Sequence, residues 1–181
     1  MKYLSFFLLA CFSFTQVGQD IYICKNAKIN IYSSAPIEDI EANSSAVVSV
    51  YNATTGELEF SVLMRTFHFE KALMEEHFNS DYMESDKYPK ATFKGKIEQL
   101  PDLTKDGDYP VKVTGELEVH GVKQTRTIDG DVKVSNGIVT MTSEFMVKCA
   151  DHHIIIPKVV FHNIAESIRI RVAATYTLYK K

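Results

Sequence analysis

Histidine and aspartate side chains gather near residue 150, where their chemistry could support a metal site. Asp151, His152 and His153 are consecutive, and His162 follows in the same irregular region. Carboxylate and imidazole groups are common ligands of zinc and copper, so these four residues are the candidate cluster. Adjacent histidines point to opposite faces of a strand, and no H-E-x-x-H, C-x-x-C or H-x-H spacing accompanies them. Surface or structural histidines are the favoured interpretation, no metal ligand is assigned, and a metal-binding protein using this cluster is the alternative hypothesis.

The residue types that usually carry out catalysis form no recognisable motif in this chain. There is no G-x-S-x-G, no P-loop, no G-x-G-x-x-G and no cysteine within a nucleophile signature. The carboxylates of Glu75, Glu76 and Glu84 lie in or near a short helical segment, where such groups usually form a solvated face. The sequence therefore predicts no catalytic residues, no cofactor and a protein that is not an enzyme.

Composition and charge narrow the classes of partner. The 181 residues include 45% hydrophobic side chains, enough for the core of one globular domain. The 20 Lys and Arg residues are offset by 23 Asp and Glu residues, so the net charge is −3. A chain without an excess of positive charge has no general attraction to phosphate backbones. Nucleic acid is therefore not an expected partner.

The amino-terminal segment has the pattern of an export signal. Met1 and Lys2 precede an apolar run of about twelve residues that ends at Phe14, which matches the core of a signal peptide. The run is shorter than the roughly 20 residues that a membrane-spanning helix needs, so no stable membrane insertion is expected. We predict a signal peptide at residues 1–19, a mature domain at residues 20–181, and a periplasmic or secreted location.

Two cysteines, Cys24 and Cys149, remain in the predicted mature domain. They could form a disulfide in an oxidising compartment, provided that their Cα atoms lie within about 7 Å of each other. Two unpaired thiols, packed as small apolar side chains, are the favoured alternative.

Alternating apolar and polar residues predict β-strands along most of the domain. Between Val111 and Val119 the apolar side chains occupy every second position, while Lys112 and Glu118 belong to the other face. A period of two is typical of a strand with one buried face. The segments that follow this pattern are residues 29–32, 46–51, 58–64, 93–97, 111–119, 131–134, 139–147 and 168–178.

Short turn sequences separate these eight strands. Glycine and asparagine, which tolerate positive φ, occur at residues 52–56, 106–108, 120–121 and 135–137. Strands that follow one another through short turns form an antiparallel meander. Eight such strands with one apolar face can close into a barrel, and closure leaves no exposed sheet edge.

One segment has helical periodicity instead. Between residues 69 and 78 the apolar side chains include Leu73, Met74 and Phe78, the spacing of a short amphipathic helix that Asn79 can end. We expect this helix and the loop after it to cover one end of the barrel as a lid. The irregular region at residues 150–164 is a second candidate for covering the barrel mouth.

Two motifs resemble those of the YceI-like family. Residues 76–95 contain H-F followed by Y-P-x-A-x-F, and residues 113–122 are similar to the V-T-G-x-L-x-x-H-G-V hairpin of that family. The I-I-I-P stretch at residues 154–157 and the closing strand resemble its carboxy-terminal third. The resemblance covers residues 21–179, essentially the whole predicted domain, although two histidines stand where an aromatic residue is more usual after Asp151.

The resemblance implies an all-β fold, an elongated eight-stranded antiparallel lipocalin-like barrel with a short capping helix. It also implies an exported binding protein that holds a long apolar ligand. The implied partner is a long-chain lipid, such as a polyisoprenoid or an isoprenoid quinone, bound for carriage, storage or stress protection. The sequence indicates no oligomeric state.

The inward side chains determine whether such a barrel is hollow. Gly95, Gly115, Gly130 and Ala174 are interspersed with methionines and phenylalanines, which could leave an apolar channel or fill the interior as a solid core. The family resemblance favours the channel. The residues predicted to bind the ligand, in the barrel interior and the lid, are Phe60, Val62, Met64, Met74, Phe78, Phe93, Ile97, Val113, Leu117, Met141, Phe145, Ile170 and Val172.

Overall fold

The computed structural model describes residues 20–34, 36–157 and 164–179. Within these ranges the chain forms a closed, eight-stranded antiparallel β-barrel with one short α-helix, which confirms the predicted fold class. The elements of the described residues are β1 (Ile21–Ser33), β2 (Ile40–Asn52), β3 (Glu57–Leu63), β4 (His68–Phe69), α1 (Ala72–His77), β5 (Lys90–Ile97), β6 (Gly107–Val119), β7 (Val122–Ser135), β8 (Ile138–Lys148) and β9 (Ser167–Leu178).

Strand pairing closes the sheet on itself. Neighbouring strands follow the order β1-β9-β8-β7-β6-β5-β3-β2, and β1 pairs with β2 to complete the circle. The two-residue strand β4 adds to β2 near its start, where Ala42 faces Phe69. Strand β3 pairs with β2 only from Val47 onward, so β4 occupies an edge that β3 leaves free. Closure gives the barrel strands partners on both sides and removes the aggregation-prone edges of an open sheet.

The alternation of apolar and polar residues decides which face of each strand lies inside. In β6, Val113 and Leu117 are buried, whereas Lys112 and Glu116 on the opposite face are exposed. Successive side chains of a strand point to opposite faces of the sheet, so this pattern fixes the register of the barrel.

Strands β1 and β2 contain an irregularity that the sequence pattern conceals. The register between them shifts on both sides of Ala27. Cys24 and Ala27 are both buried although they are an odd number of positions apart, because a bulge inserts an extra residue into the strand. The predicted strand at residues 29–32 is therefore only the regular half of β1.

Two-residue turns join β6 to β7 and β7 to β8, as predicted. His120 and Gly121 have φ values of 52° and 72°, and Asn136 and Gly137 have values of 50° and 75°. A pair of left-handed residues is what a tight hairpin with the twist of the flanking strands requires. The predicted turn at residues 106–108 is wrong, because Gly107 already pairs with Val134 in the β6–β7 ladder.

The first predicted lid segment and the described part of the second lie at one end of the barrel, the upper end, where β1, β3, β6 and β8 finish; residues 158–163 of the second segment lie outside the described residues. The helix is shorter than predicted: α1 spans Ala72–His77, and Phe69 belongs to β4. Asn79 does not end the helical path, because a π-helical turn continues over Phe78–Tyr82 and the Asn79 amide donates to the carbonyl of Glu75. The second segment forms a 3-10 turn over Cys149–His152.

A seam separates β7 from β8 in the upper half of the barrel. The ladder joins the two strands only from the pair Asp131 and Thr142 to the pair Ser135 and Ile138. Above that point the described residues of β7 pair only with β6, and those of β8 pair only with β9. A side-chain contact crosses the gap instead, since the Ser143 hydroxyl donates to the carbonyl of Asp129 at 2.7 Å.

Strand β7 is much longer than the predicted segment at residues 131–134, because it begins at Val122. Gln124 and Arg126 share the inward face of this strand with the buried Ile128 and Val132. Two polar residues at inward positions hide the alternation, which explains why the sequence pattern stops short. Among the described residues, no helix has both the length and the apolar composition to cross a membrane.

Candidate functional site: an apolar cavity in the barrel

The barrel encloses a cavity of about 520 Å³. This volume falls within the roughly 300–1,000 Å³ that is usual for small-molecule sites. Inward side chains of the strands form its wall, and the lid segments border its upper end, the mouth. The lining is almost entirely apolar, so the barrel is hollow in this region rather than filled by its own side chains.

All thirteen residues proposed from the sequence line this cavity. Eleven of them come from the strands and their immediate ends, and Met74 and Phe78 come from the lid. Strict alternation along regular strands is what made these positions readable, since every second residue faces inward. That they contact a ligand stays a prediction.

The cavity also has lining residues that the sequence analysis missed. Ile29 and Val132 continue the apolar alternation of regular strands and could have been found by carrying that pattern further. The mouth residues Phe67 and Tyr82 belong to irregular segments, where no periodicity marks the inward side. The apolar lining residues absent from the predicted set are Ile29, Ile31, Ile40, Leu58, Phe67, Phe69, Tyr82, Met83, Ala91, Val111, Val119, Ile128, Val132, Val147, Ile154, Ile156, Ile164 and Ile168.

Aromatic rings surround one side of the mouth. The Phe78 ring centroid lies 5.7 Å from that of Phe67 and 5.0 Å from that of Phe69. Met74 precedes Phe78 by four residues, so the helical path places both side chains on the same face. Because that face borders the cavity, the helix works as an apolar cover, as the sequence predicted.

His120 connects three segments at the upper end. One ring nitrogen, Nε2, lies 2.8 Å from Oε2 of Glu84 in the loop after the π-helical turn. The other, Nδ1, lies 3.2 Å from the carbonyl oxygen of His152 in the 3-10 turn. The ring also packs edge-on against Tyr88, with centroids 4.4 Å apart. The turn between β6 and β7 thereby holds both lid segments in place.

The 3-10 turn is also attached to β7, across the upper part of the seam. Arg126 donates to the Asp151 carboxylate at 2.9 Å, and Gln124 donates to the Asp151 carbonyl at 2.8 Å. His152 is 0% exposed and donates from Nδ1 to the carbonyl of Val122 at 3.0 Å. Burial lowers the pKa of His152, because the charged imidazolium would lose its hydration there. These contacts occupy the inward polar residues that interrupt the pattern of β7.

The geometry of this turn does not favour the metal hypothesis. Asp151 is paired with Arg126, and His152 is directed to a backbone carbonyl. His153 follows in a left-handed conformation with φ 57°. Among the described residues no group of three or more His, Cys, Asp or Glu side chains is arranged to hold a metal ion. His162, the fourth member of the candidate cluster, lies outside the described residues.

Below the cavity the barrel is filled by a layer that we call the floor, formed by Tyr51, Tyr176 and Ser49. The two tyrosine rings meet edge-on with centroids 6.4 Å apart, and their exposed fractions are 0% and 3%. The hydroxyls of Tyr176 and Ser49 lie 2.6 Å apart, and Ser49 donates to the carbonyl of Glu59. Burial raises the pKa of Tyr51 to about 12, so the phenol is neutral at any physiological pH.

The small residues of the interior act differently from the prediction. Gly95 and Gly115 face each other on β5 and β6, and a Cβ on Gly115 would lie 2.4 Å from the Gly95 Cα. These glycines therefore allow two strands to approach rather than widen the channel. Of the four small residues considered, only Gly130 lines the cavity, while Ala174 is packed in the core at 2% exposure.

The two cysteines lie at opposite ends of the barrel and are both free. Cys24 pairs with Ser49 near the lower end, whereas Cys149 follows β8 at the upper end and lines the cavity. A disulfide between them is excluded, which leaves the alternative of two packed thiols. Burial raises the pKa of the Cys149 thiol to about 11.

Three solved structures have a similar fold. A polyisoprenoid binding domain from Saccharophagus degradans superimposes with a TM-score of 0.74 at 14% identity, covering 90% of this chain and 100% of that domain. BcnA from Burkholderia cenocepacia gives 0.71 at 16% identity over 83% of this chain and 96% of that one. The YceI protein of Campylobacter jejuni gives 0.56 at 16% identity and covers both chains fully. At such identities the likeness establishes the fold.

A comparison with curated proteins gives no significant match. The model of the YceI-like domain, in contrast, matches residues 28–176, which is most of the chain. The matched segment begins within β1 and ends within β9, so it contains the cavity and the lid segments described above. The chain therefore belongs to the YceI-like domain family.

Proposed function

We propose that this protein is an exported binding protein that holds a long apolar ligand inside its barrel. The observation that carries the proposal is the apolar cavity, which extends from the lid segments down to Leu58, Ile97 and Met141. The similar barrel from Saccharophagus degradans is described as a polyisoprenoid binding domain, and membership of the YceI-like family favours the same class of ligand.

Hydrophobic burial alone supplies enough free energy to hold such a ligand. Each methylene moved from water into an apolar site contributes about 0.8 kcal/mol. Association costs roughly 4–15 kcal/mol in lost translational and rotational freedom. A chain that buries roughly twenty carbon atoms offsets even the upper part of that cost. No strongly polar recognition site is required.

The proposed ligand is a polyisoprenoid, an isoprenoid quinone or a similar lipid, and the thirteen lining residues predicted from the sequence are its proposed contacts. Branched aliphatic, phenylalanine and methionine side chains share the lining, and flexible methionines adapt to an irregular methyl-branched chain. A polar head group would lie at the mouth, where Glu38, His77 and Tyr82 border the cavity.

The proposal includes binding rather than catalysis, and an extracytoplasmic location. At the upper end of the barrel, the contact of His120 with Glu84 holds a lid segment in place. The predicted signal peptide at residues 1–19 supports export to the periplasm or the medium, where carriage, storage or stress protection would take place. Sequencing the amino terminus of the protein from a periplasmic fraction tests the export step.

Mass spectrometry of an organic extract of the purified protein tests the ligand. The protein should be produced in an exporting bacterial host and compared with two variants. Met141→Trp places a larger ring in the cavity, whereas Met146→Trp adds the same ring on the outer face of the same strand, where Met146 is 49% exposed. Gly95→Phe is unsuitable as a blocking variant, because a side chain there meets the carbonyl of Thr114.

We expect a stoichiometric isoprenoid or other long-chain lipid in the wild type and in Met146→Trp, and its loss from Met141→Trp. The lipid should be absent from extracts of an unrelated barrel protein purified in the same way. Equal lipid content in Met141→Trp and Met146→Trp, with both variants folded, would place the ligand outside the cavity and contradict the proposal.

A further inference from the structure

The geometry points to the floor as a length stop for the bound chain. We infer that Tyr51 and Tyr176 close the lower end of the cavity and set the longest apolar chain that the barrel can bury. This inference rests on the proposed function, since it concerns which members of the ligand class are selected.

The cavity does not run through the whole barrel. Its deepest lining residues on the lower side are Leu58, Ile97, Val111, Val132 and Met141. The buried residues one layer below do not line it, and they form a packed core with the deepest lining residues. A chain that enters from the mouth is therefore buried only as far as this level.

Tyr51 lies beside that level, and Tyr176 lies one inward position further toward the lower end of the barrel. Tyr51 faces Leu58 across the β2–β3 ladder, so it neighbours a residue of the cavity wall. Tyr176 is two residues from Ala174, which faces Met141 across the β8–β9 ladder. Both rings belong to the same buried cluster as Leu58 and Met141. Two large planar side chains thus separate the hollow part of the barrel from its lower end.

Small residues flank the two rings on one side, while the Tyr22 ring packs against Tyr51 with centroids 6.3 Å apart and the buried Val139 faces Tyr176 across the β8–β9 ladder. Cys24 and Ser49 pair with each other and flank Tyr51 and Tyr176, and each is 1% exposed. Ala174 is also fully packed. The hydrogen bond between Tyr176 and Ser49 holds one ring in position. Removing the ring of Tyr51 would free space beside Leu58, one of the deepest lining residues.

The test measures affinity for a series of all-trans isoprenoid alcohols that differ by one five-carbon unit, starting from farnesol. In the wild type, affinity should rise with each added unit until the chain reaches the floor and then level off. The rise reflects about fourfold tighter binding for each newly buried methylene. Competition with a fluorescent fatty-acid probe gives the affinity of each alcohol.

Tyr51→Ala deepens the cavity, and the levelling point should move to a chain longer by roughly one unit, with at least tenfold tighter binding of that longer alcohol. Tyr51→Phe keeps the ring and should keep the wild-type levelling point. A shift in Tyr51→Phe equal to that in Tyr51→Ala would show that the hydroxyl rather than the ring sets the limit, and would overturn the inference.

Val111→Phe tests the same inference in the opposite direction. Val111 lines the cavity opposite Gly130, so a ring there occupies open space just above the floor. Preference should move to shorter alcohols by roughly one unit. Val48→Phe adds the same ring on the outer surface of β2, where Val48 is exposed, and serves as the matched control.

The possible results distinguish a failure of the length stop from a failure of the proposed ligand-binding function. Failure of the wild type to bind any alcohol in the series contradicts the proposed function itself. Binding with an unchanged length profile in both Tyr51→Ala and Val111→Phe leaves the function standing and overturns the length stop. If Tyr51→Ala does not fold, the profile of Val111→Phe decides, and an unchanged profile overturns the inference.

Discussion

Hydrogen bonding in the floor is uneven between its two tyrosines. The Tyr176 hydroxyl shares a hydrogen bond with Ser49, whereas the buried hydroxyl of Tyr51 has no hydrogen-bond partner among the described residues. A buried polar group without a partner loses its hydration and gains nothing in return, at a cost of about 1–3 kcal/mol. The Tyr176 hydroxyl should therefore stabilise the folded protein, whereas the Tyr51 hydroxyl should destabilise it.

Replacing each tyrosine by phenylalanine reveals this difference. Tyr51→Phe should leave the free energy of unfolding unchanged or raise it by about 1 kcal/mol, because it removes an unsatisfied group. Tyr176→Phe should lower it by about 1 kcal/mol, because the hydrogen bond between the Tyr176 and Ser49 hydroxyls is lost. Urea denaturation followed by circular dichroism measures both values. A larger loss in Tyr51→Phe than in Tyr176→Phe would contradict the assignment.

His152 makes stability depend on pH. Its pKa is lowered in the folded protein, first by burial and also by the nearby Arg126, against about 6.5 in the unfolded chain. The carbonyls of Val122 and Val119 and the carboxylate of Asp151 act in the opposite direction. The unfolded state therefore binds the proton more readily, and stability falls as pH drops below about 6.5.

His152→Gln removes this titration while keeping an N–H group that can reach the Val122 carbonyl. The variant should lose less stability than the wild type between about pH 7.5 and pH 5.5, the range in which the unfolded histidine becomes charged. Urea midpoints at the two pH values provide the comparison. Equal losses in the two proteins would show that His152 does not carry the acid sensitivity.

At the scale of the elements, the contact of β5 with β6 depends on two facing glycines. A Cβ on Gly115 would lie 2.4 Å from both the Gly95 Cα and the Lys94 carbonyl oxygen, which are backbone atoms. A Cβ on Gly95 would mainly meet the ring of Phe93 at 2.8 Å, and that ring can rotate away. The close approach of the strands is therefore more sensitive at Gly115.

Gly115→Ala should destabilise the protein by about 1–3 kcal/mol, the usual cost of forcing extra volume into a packed core. Gly95→Ala should cost less, since its closest contact is a side chain that can move and the nearest backbone atom, the Thr114 carbonyl oxygen, lies at 3.0 Å rather than 2.4 Å. Thermal and urea denaturation of the two variants measure the difference. A cost in Gly95→Ala equal to or above that in Gly115→Ala would mean that the strands adjust more easily than the ring.

The sequence predicts the strands in which apolar and polar residues alternate regularly. It misses the strand segments whose residues are determined by tertiary contacts. The alternation in β6 is complete enough to give its burial pattern, because every inward residue there is apolar or glycine. In β7 it fails at Gln124 and Arg126, which turn inward to bind the 3-10 turn after β8. The bulge at Ala27 interrupts β1 in the same way, since a bulge has no local signal that exceeds ordinary variation.

At the scale of the whole molecule, the sequence predicts which residues line the interior of the barrel, but it does not predict how much of that interior is empty. Inward positions follow from alternation, but empty space depends on how the side chains pack together. Gly95 looked like a gap in the channel and proved to be covered by Phe93, while Tyr51 lies in a regular stretch of the β1–β2 pairing, where alternation does not reveal that its ring fills the interior. The extent of the hollow region is thus a property of tertiary packing.

Whether the two cysteines can form a disulfide also depends on the fold of the whole molecule. Cys24 and Cys149 are separated by most of the height of the barrel, roughly 20 Å or more for strands of this length. Peptide mapping after alkylation should find both as free thiols, and a reducing agent should leave the melting temperature unchanged. Both should react slowly before unfolding, because both side chains are buried and, at Cys149, burial also raises the pKa of the thiol. A bridged peptide containing both residues would contradict the fold.

The seam between β7 and β8 has a consequence for how the barrel moves. Backbone amides of residues 122–130 that point toward β8 lack ladder partners, while those of residues 131–135 are paired on both sides. Amide hydrogen exchange should therefore be fast along the upper part of this line and slow below it. Uniform protection along β7 would show that the side-chain contacts seal the gap as firmly as a ladder. If exchange follows this pattern, thermal fluctuations open the barrel wall between the upper parts of β7 and β8, and the rest of the barrel stays closed.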